Sequence, residues 1–129
     1  MMDELFGEVF SSYSRAQAID DGVLVDVSQS SEAKECGFKF PIAMTRAVWD
    51  AYVEVPPKAN GQDVKGRLWD VLFMLRYGIQ RSNGGSIVFY TVYVQNDNRY
   101  KAKPIKLKSV CGPGDNGEPV ITIMLPDED

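Results

Sequence analysis

The chain has no histidine and only two cysteines, Cys36 and Cys111, far apart in its 129 residues. Without histidine, the commonest general base and the commonest nitrogen ligand for a metal are both missing, so any triad or zinc site built on imidazole is excluded. A zinc ion would be left with two thiols and carboxylates, and no Cys-x-x-Cys pair exists to hold it; no metal and no cofactor are expected. Distant cysteines, and no charged leader followed by an apolar stretch, predict a reducing, cytoplasmic setting. Long apolar runs are lacking too. The longest, "VLFMLRYGI", is interrupted by Arg76 and falls well short of the roughly 20 residues that cross a bilayer, so no membrane span is expected.

Apolar residues make up 44% of the chain and charged residues 25%, the balance of a sequence that buries a core. The length predicts a single α+β domain over residues 1–129. The net charge of -4 hides a segregated pattern: residues 1–35 hold eight acids against two bases, residues 61–110 hold nine bases against three acids, and residues 111–129 hold five acids and no base. Acidic ends flank a basic middle. In one small domain this reads as self-complementary surface charge, or as an acidic face offered to a basic partner with long-range steering as the benefit.

Local signals divide the chain. "SRAQ" from Ser14 to Gln17 has capping-box spacing, and with Gly22 as terminator it predicts a short helix over 15–21. "VLVDV" (23–27) alternates as a strand. "SSEAKECG" carries a serine cap, an early acid and a closing glycine, the marks of a second short helix. Pro41 holds Phe40 extended, and Thr45 can cap a helix over 46–54 that two prolines then stop. In "GQDVKGRLWDVLFMLRYGIQRSNGG" the residues Val64, Leu68, Val71, Leu72, Leu75 and Ile79 recur at helical spacing and predict the longest helix, central to the core. Gly66 and Gly78 inside it call for close packing as compensation. Three strand candidates follow at 86–94, 102–110 and 120–125. The expected fold is thus α+β, with short N-terminal helices and one strand, one long central helix, and a C-terminal three-stranded antiparallel meander.

The loop "GPGDNGEP" resembles several things and fits one. A phosphate loop needs Lys-Ser/Thr after its glycines and then a helix, whereas here a strand opened by Pro119 follows. A calcium loop needs more oxygen ligands than Asp115, Asn116 and Glu118 supply. Asp-Asn-Gly between alternating apolar runs is reversal chemistry, with Asn116 and Gly117 tolerant of positive φ and Pro119 suited to an edge strand. A hairpin turn is predicted, with its tip open to binding duties.

Catalytic sets are thin. "EAK" at 32–34 with Asp26 upstream faintly matches a metal-dependent nuclease pattern, but lies in a capped helix rather than on a strand. Cys111 has no base to take its proton and reads as a structural thiol. A carboxylate-only pair, Asp26 with Glu35, is the remaining enzyme hypothesis, and no catalytic residue is assigned. Two contact surfaces are candidates instead. Arg46 and Trp49 form an arginine and aromatic pair of the kind found at protein-interaction hot spots, and Asp115 and Asn116 sit at a loop tip. Alternatively Arg99, Tyr100, Lys106 and Lys108 in "NDNRYKAKPIKLKS", with Tyr90 and Tyr93 as stacking surfaces, predict a nucleic-acid-binding strand. The plainer reading of those lysines is protection of an edge strand.

The phrases "LFGEVFSSYSRAQAIDDGVLVDVS", "FKFPIAMTRAVW", "GRLWDVLFMLRY" and "VCGPGDNGEPVITIMLP", in that order, resemble a family of small uncharacterised bacterial proteins encoded on plasmids, integrative elements and phages. The resemblance covers nearly the whole chain and transfers no functional residue. It implies genomic company: small mobile-element proteins of this kind often assist maintenance or blunt host defence, including restriction and CRISPR systems. The expectation from residues and resemblance together is a non-catalytic accessory protein that binds a host protein or protein complex, an inhibitor of host defence. The alternative is a small nucleic-acid-binding module using the lysine-rich strand 99–108.

Overall fold

The serine and threonine caps read from the sequence each start a helix in the computed structural model, which describes residues 13–129. Asp3, Glu4 and Glu8 of the acidic N-terminal stretch lie outside the described residues. Helix α1 (Arg15–Asp20) opens on a full capping box: Ser14 Oγ accepts the Gln17 N–H and Gln17 Oε1 accepts the Ser14 N–H, each at 3.0 Å. Strand β1 (Leu24–Asp26) leads to α2 (Ser31–Glu35), where Ser30 Oγ accepts the Ala33 N–H at 3.1 Å. Strand β2 (Ile42–Thr45) runs straight into α3 (Arg46–Val48), capped by Thr45, and α3 loosens into a π-helical turn at Trp49–Val53. The expected helix over 46–54 is therefore a short α-turn continued in wider π geometry. Asp63 caps the long helix α4 (Val64–Gln80), its Oδ1 accepting the Gly66 N–H at 2.7 Å. Strands β3 (Ile87–Val94), β4 (Lys103–Pro113) and β5 (Pro119–Met124) complete the chain.

All five strands form one sheet in the order β1-β2-β5-β4-β3. The pairings β3 with β4 and β4 with β5 are antiparallel, so the expected meander is present, but only as part of a larger mixed sheet. Beyond it β5 pairs in parallel with β2, and β2 pairs antiparallel with β1. Ile42, Ala43 and Met44 are buried to the last. A short central strand covered on both faces has no alternation to announce it, which is why "IAMT" reads from sequence as a mere lead-in to a helix. Pro119 also differs from expectation, since β5 is central rather than an edge. It is the first residue of the strand, opposite Pro113 and before the pairing with β2 begins at Ile121, so its missing N–H interrupts no ladder.

The inner face of the sheet carries α4. Leu68, Val71, Leu72 and Leu75 pack with Met44, Tyr90, Val92, Leu107 and Ile123 in a single cluster of buried residues, each such side chain contributing about 1.5–3 kcal/mol by leaving water. Gly78 has the close approach its place in a helix calls for: a Cβ there would stand 3.2 Å from Tyr90 Cβ. The turn from α4 toward β3 is kept near the sheet by that contact. Arg67, only 5% exposed, ties the helix start to its surroundings. Its guanidinium donates to the Val53 carbonyl at 3.2 Å, Gln62 Oε1 at 2.9 Å, the Gln95 carbonyl at 3.1 Å and Asn96 Oδ1 at 2.7 Å. Burial lowers its pKa, with Asp70 opposing.

Candidate functional site

Among the described residues, one half of the outer sheet face is covered and the other is not. α1 packs against β1 and reaches over to β5, where Arg15 donates to Thr122 Oγ1 at 2.7 Å and to the Ile121 carbonyl at 2.8 Å. Half-burial of that guanidinium lowers its pKa, against the pull of Asp26, Asp115 and Glu118. The C-terminal segment adds Glu128, which accepts the Thr45 hydroxyl and the Leu125 N–H, both at 2.8 Å. Over β3 and β4 there is no such cover among the described residues. The strand β3 alternates strictly: Val88, Tyr90, Val92 and Val94 turn inward and are buried, while Ile87, Phe89, Thr91 and Tyr93 turn outward and are exposed. Ile87 is 53% exposed, Phe89 55% and Tyr93 65%.

Register sets the lysines among these aromatics. Lys108 stands opposite Phe89, Lys106 opposite Thr91, and Pro104 opposite Tyr93. Lys106 is exposed, and the half-buried Lys108 ammonium donates to the Glu128 carbonyl. Phe89 and Tyr93, four residues apart on one strand, are about 13 Å from each other along it. The result is a platform of two aromatic rings with the exposed Lys106 ammonium between them, and Lys108 held at its margin by the C-terminal segment. Tyr90, expected as a stacking surface, is instead 6% exposed against α4, because it has the other strand parity, and Phe89 takes its place.

Arg99 and Tyr100 belong to the turn joining β3 to β4, away from that platform. The Arg99 guanidinium pairs with Asp97 at 2.8 Å and lies 5.5 Å over the Tyr100 ring, with Lys103 Nζ at 5.4 Å from the same ring. Hydrogen bonding from Arg99 holds the Asp97 carboxyl below its usual range. Tyr100 lines a pocket of about 200 Å³ with Tyr52, Val94 and Asn96. The four residues expected to track a polyanion thus divide into a self-paired turn and an open strand face.

Arg46, Trp49, Asp115 and Asn116 do not form one surface. Asp115 caps α1, its carboxylate accepting the N–H groups of Arg15 at 2.8 Å and Ala16 at 3.1 Å. Arg46 sits beyond the other end of that helix, donating to the Gly22 carbonyl at 3.0 Å and pairing loosely with Asp50 at 3.8 Å. Trp49 is partly buried against the core, and Asn116 is exposed at the β4–β5 turn. That turn is the predicted reversal, with Gly117 at φ 78° and its N–H on the Gly114 carbonyl at 3.1 Å.

Among the described residues, no group of three or more cysteines, aspartates and glutamates is placed to hold a metal. Asp26 Oδ1 accepts the Ser28 N–H at 3.0 Å, turning the chain after β1. Cys36 is buried and its thiol pKa is pushed up, the nearby Arg76 opposing. No described helix is long and apolar enough to cross a membrane.

A family model described as a family of unknown function, DUF6573, matches residues 2–129. No curated protein and no solved structure matches the chain.

Proposed function

Since the chain belongs to the DUF6573 family of unknown function, its role has to be read from its own geometry, and we propose that it acts by binding a single-stranded nucleic acid on the outer face of β3 and β4. The observation that carries this reading is one sheet face on which the exposed rings of Phe89 and Tyr93 flank the exposed Lys106 ammonium, with Lys108 opposite Phe89. Bases stack on such rings at about 1–3 kcal/mol each, whatever their identity, while the lysines track the phosphates. The chain from 98 to 110 holds no acid, and neither does β3, so the two strands themselves set no like charge against a phosphate.

The test is fluorescence anisotropy of a labelled oligonucleotide across a salt series. Wild type binds at low salt, Phe89→Ala weakens binding roughly tenfold by loss of one stacking contact, and Lys106→Ala lowers the salt slope by about 0.7. Both side chains are exposed, so neither change disturbs the core. Absence of binding at low salt, or binding indifferent to both changes, ends this reading.

A second reading keeps the chain as a mobile-element accessory protein that inhibits host defence by binding a host protein. Its support is the uncharged patch of Ile87, Phe89 and Tyr93 together with the overall negative charge. It gains if Phe89→Ala abolishes a nuclease-resistant protein complex while no oligonucleotide binds.

A further inference from the structure

The two edges of the sheet are unlike. β1 closes one side with three residues, one of them the exposed Asp26. β3 closes the other with eight residues, "IVFYTVYV", that include no charge and no proline. Shortness, charge and proline are the means by which edges are kept from pairing with another strand. β1 has two of them and β3 has none.

Hydrogen-bond parity identifies the backbone groups on that open edge. The Cys111 N–H donates to the Ser86 carbonyl at 2.7 Å, and the register runs on from Ile87 opposite Val110. Val88, Tyr90, Val92 and Val94 therefore exchange both bonds with β4, and the N–H and C=O of Ile87, Phe89, Thr91 and Tyr93 point away from it. No described strand lies beside them. The same four residues thus carry the exposed side chains and a backbone that no other described residue pairs.

We infer that a second copy of this chain takes the edge, its own β3 pairing antiparallel about a two-fold axis so that two five-stranded sheets become one. The register that uses all four residues of each strand sets Phe89 opposite the second copy's Thr91, and Ile87 opposite the second copy's Tyr93. Aromatic rings then face β-branched side chains, the favourable cross-strand pairs. A symmetric pairing brings any charge on a strand near its own copy, and β3 carries none, which is what makes it compatible with itself. Above the edge, α4 leaves a groove of about 520 Å³ lined by Met74, Tyr77, Gly78 and Arg81, room for the inward side chains of an added strand. Pairing occurs in the plane of the sheet, leaving the outward rings and Lys106 uncovered. Self-pairing of β3 requires no nucleic acid.

Sedimentation equilibrium of the full chain across the micromolar range tests it. Wild type is expected to reach twice the 14.4 kDa mass of one chain. Thr91→Lys sets two like charges about 7–8 Å apart across the axis and is expected to return the monomer, with the circular dichroism of the folded chain retained. Thr91→Pro removes an edge N–H that β4 does not use and has the same expected outcome. A wild type that stays monomeric, or a Thr91→Lys variant that still dimerises, overturns the inference. So does slow hydrogen exchange at Phe89 and Thr91 in a monomer, which would mean that part of the same chain covers the edge.

Discussion

Replacing Arg67 by methionine keeps the aliphatic stem in place and removes the guanidinium that joins α4 to the π-helical turn and to the end of β3. Four acceptors lose a donor. Asn96 is exposed and can turn to water, and the Gln95 carbonyl keeps the Gln62 amide at 2.8 Å. The Val53 carbonyl is left without that partner in a region sealed by the side chain itself. An unsatisfied buried carbonyl costs about 1–3 kcal/mol and each hydrogen bond from a charged donor is worth about 1.5–3 kcal/mol. After the rescued acceptors are discounted, the net loss is about 3 kcal/mol. Urea denaturation followed by circular dichroism should show the midpoint falling by about 1–3 M at an unchanged slope, and Tm falling by roughly 10 °C. Arg67→Lys should lie between, since an ammonium keeps the charge but cannot reach several acceptors in a fork. A loss below about 1 kcal/mol for Arg67→Met would refute the view that this guanidinium organises the loop.

Tyr90 has a hydroxyl that is buried with no hydrogen-bond partner among the described residues, and burial raises its pKa. Tyr90→Phe is therefore expected to leave Tm unchanged or to raise stability by up to about 1 kcal/mol, and a loss of that size would reveal a partner. Asp115→Ala removes the carboxylate that satisfies the Arg15 and Ala16 N–H groups beside the Ser14 cap of α1 and should cost about 1 kcal/mol in urea denaturation, whereas Asn116→Ala stays within roughly 0.5 kcal/mol; equal effects would refute the assignment of Asp115 to the start of α1.

Much of the local structure was legible because its causes are local. Ser14, Ser30 and Thr45 each cap a helix by satisfying an N–H within three residues, and such a signal needs no knowledge of the rest of the chain; Asp63 caps α4 in the same way, but only the structure singled it out. The Asn116-Gly117 turn was readable for the same reason. β2 was not, since its role comes from pairing with β5, nearly eighty residues away, which buries it on both faces and erases any period in the sequence. The candidate site was legible only in half. Lys106 and Lys108 alternate with Ile105 and Leu107, so their outward direction follows from pattern, and the register adds which residues they face.

By itself the sequence determined where α1, α2 and α3 begin, that imidazole chemistry is excluded, and that a basic stretch lies between acidic ends. Only the tertiary structure decided that Tyr90 is core and Phe89 is surface. Both faces of "IVFYTVYV" are almost equally apolar, so alternation cannot choose between them, and the choice was made by which face α4 covers. The tertiary structure likewise assigned Asp115 to α1 rather than to a partner, because that contact spans about a hundred residues of chain and no local spacing encodes it.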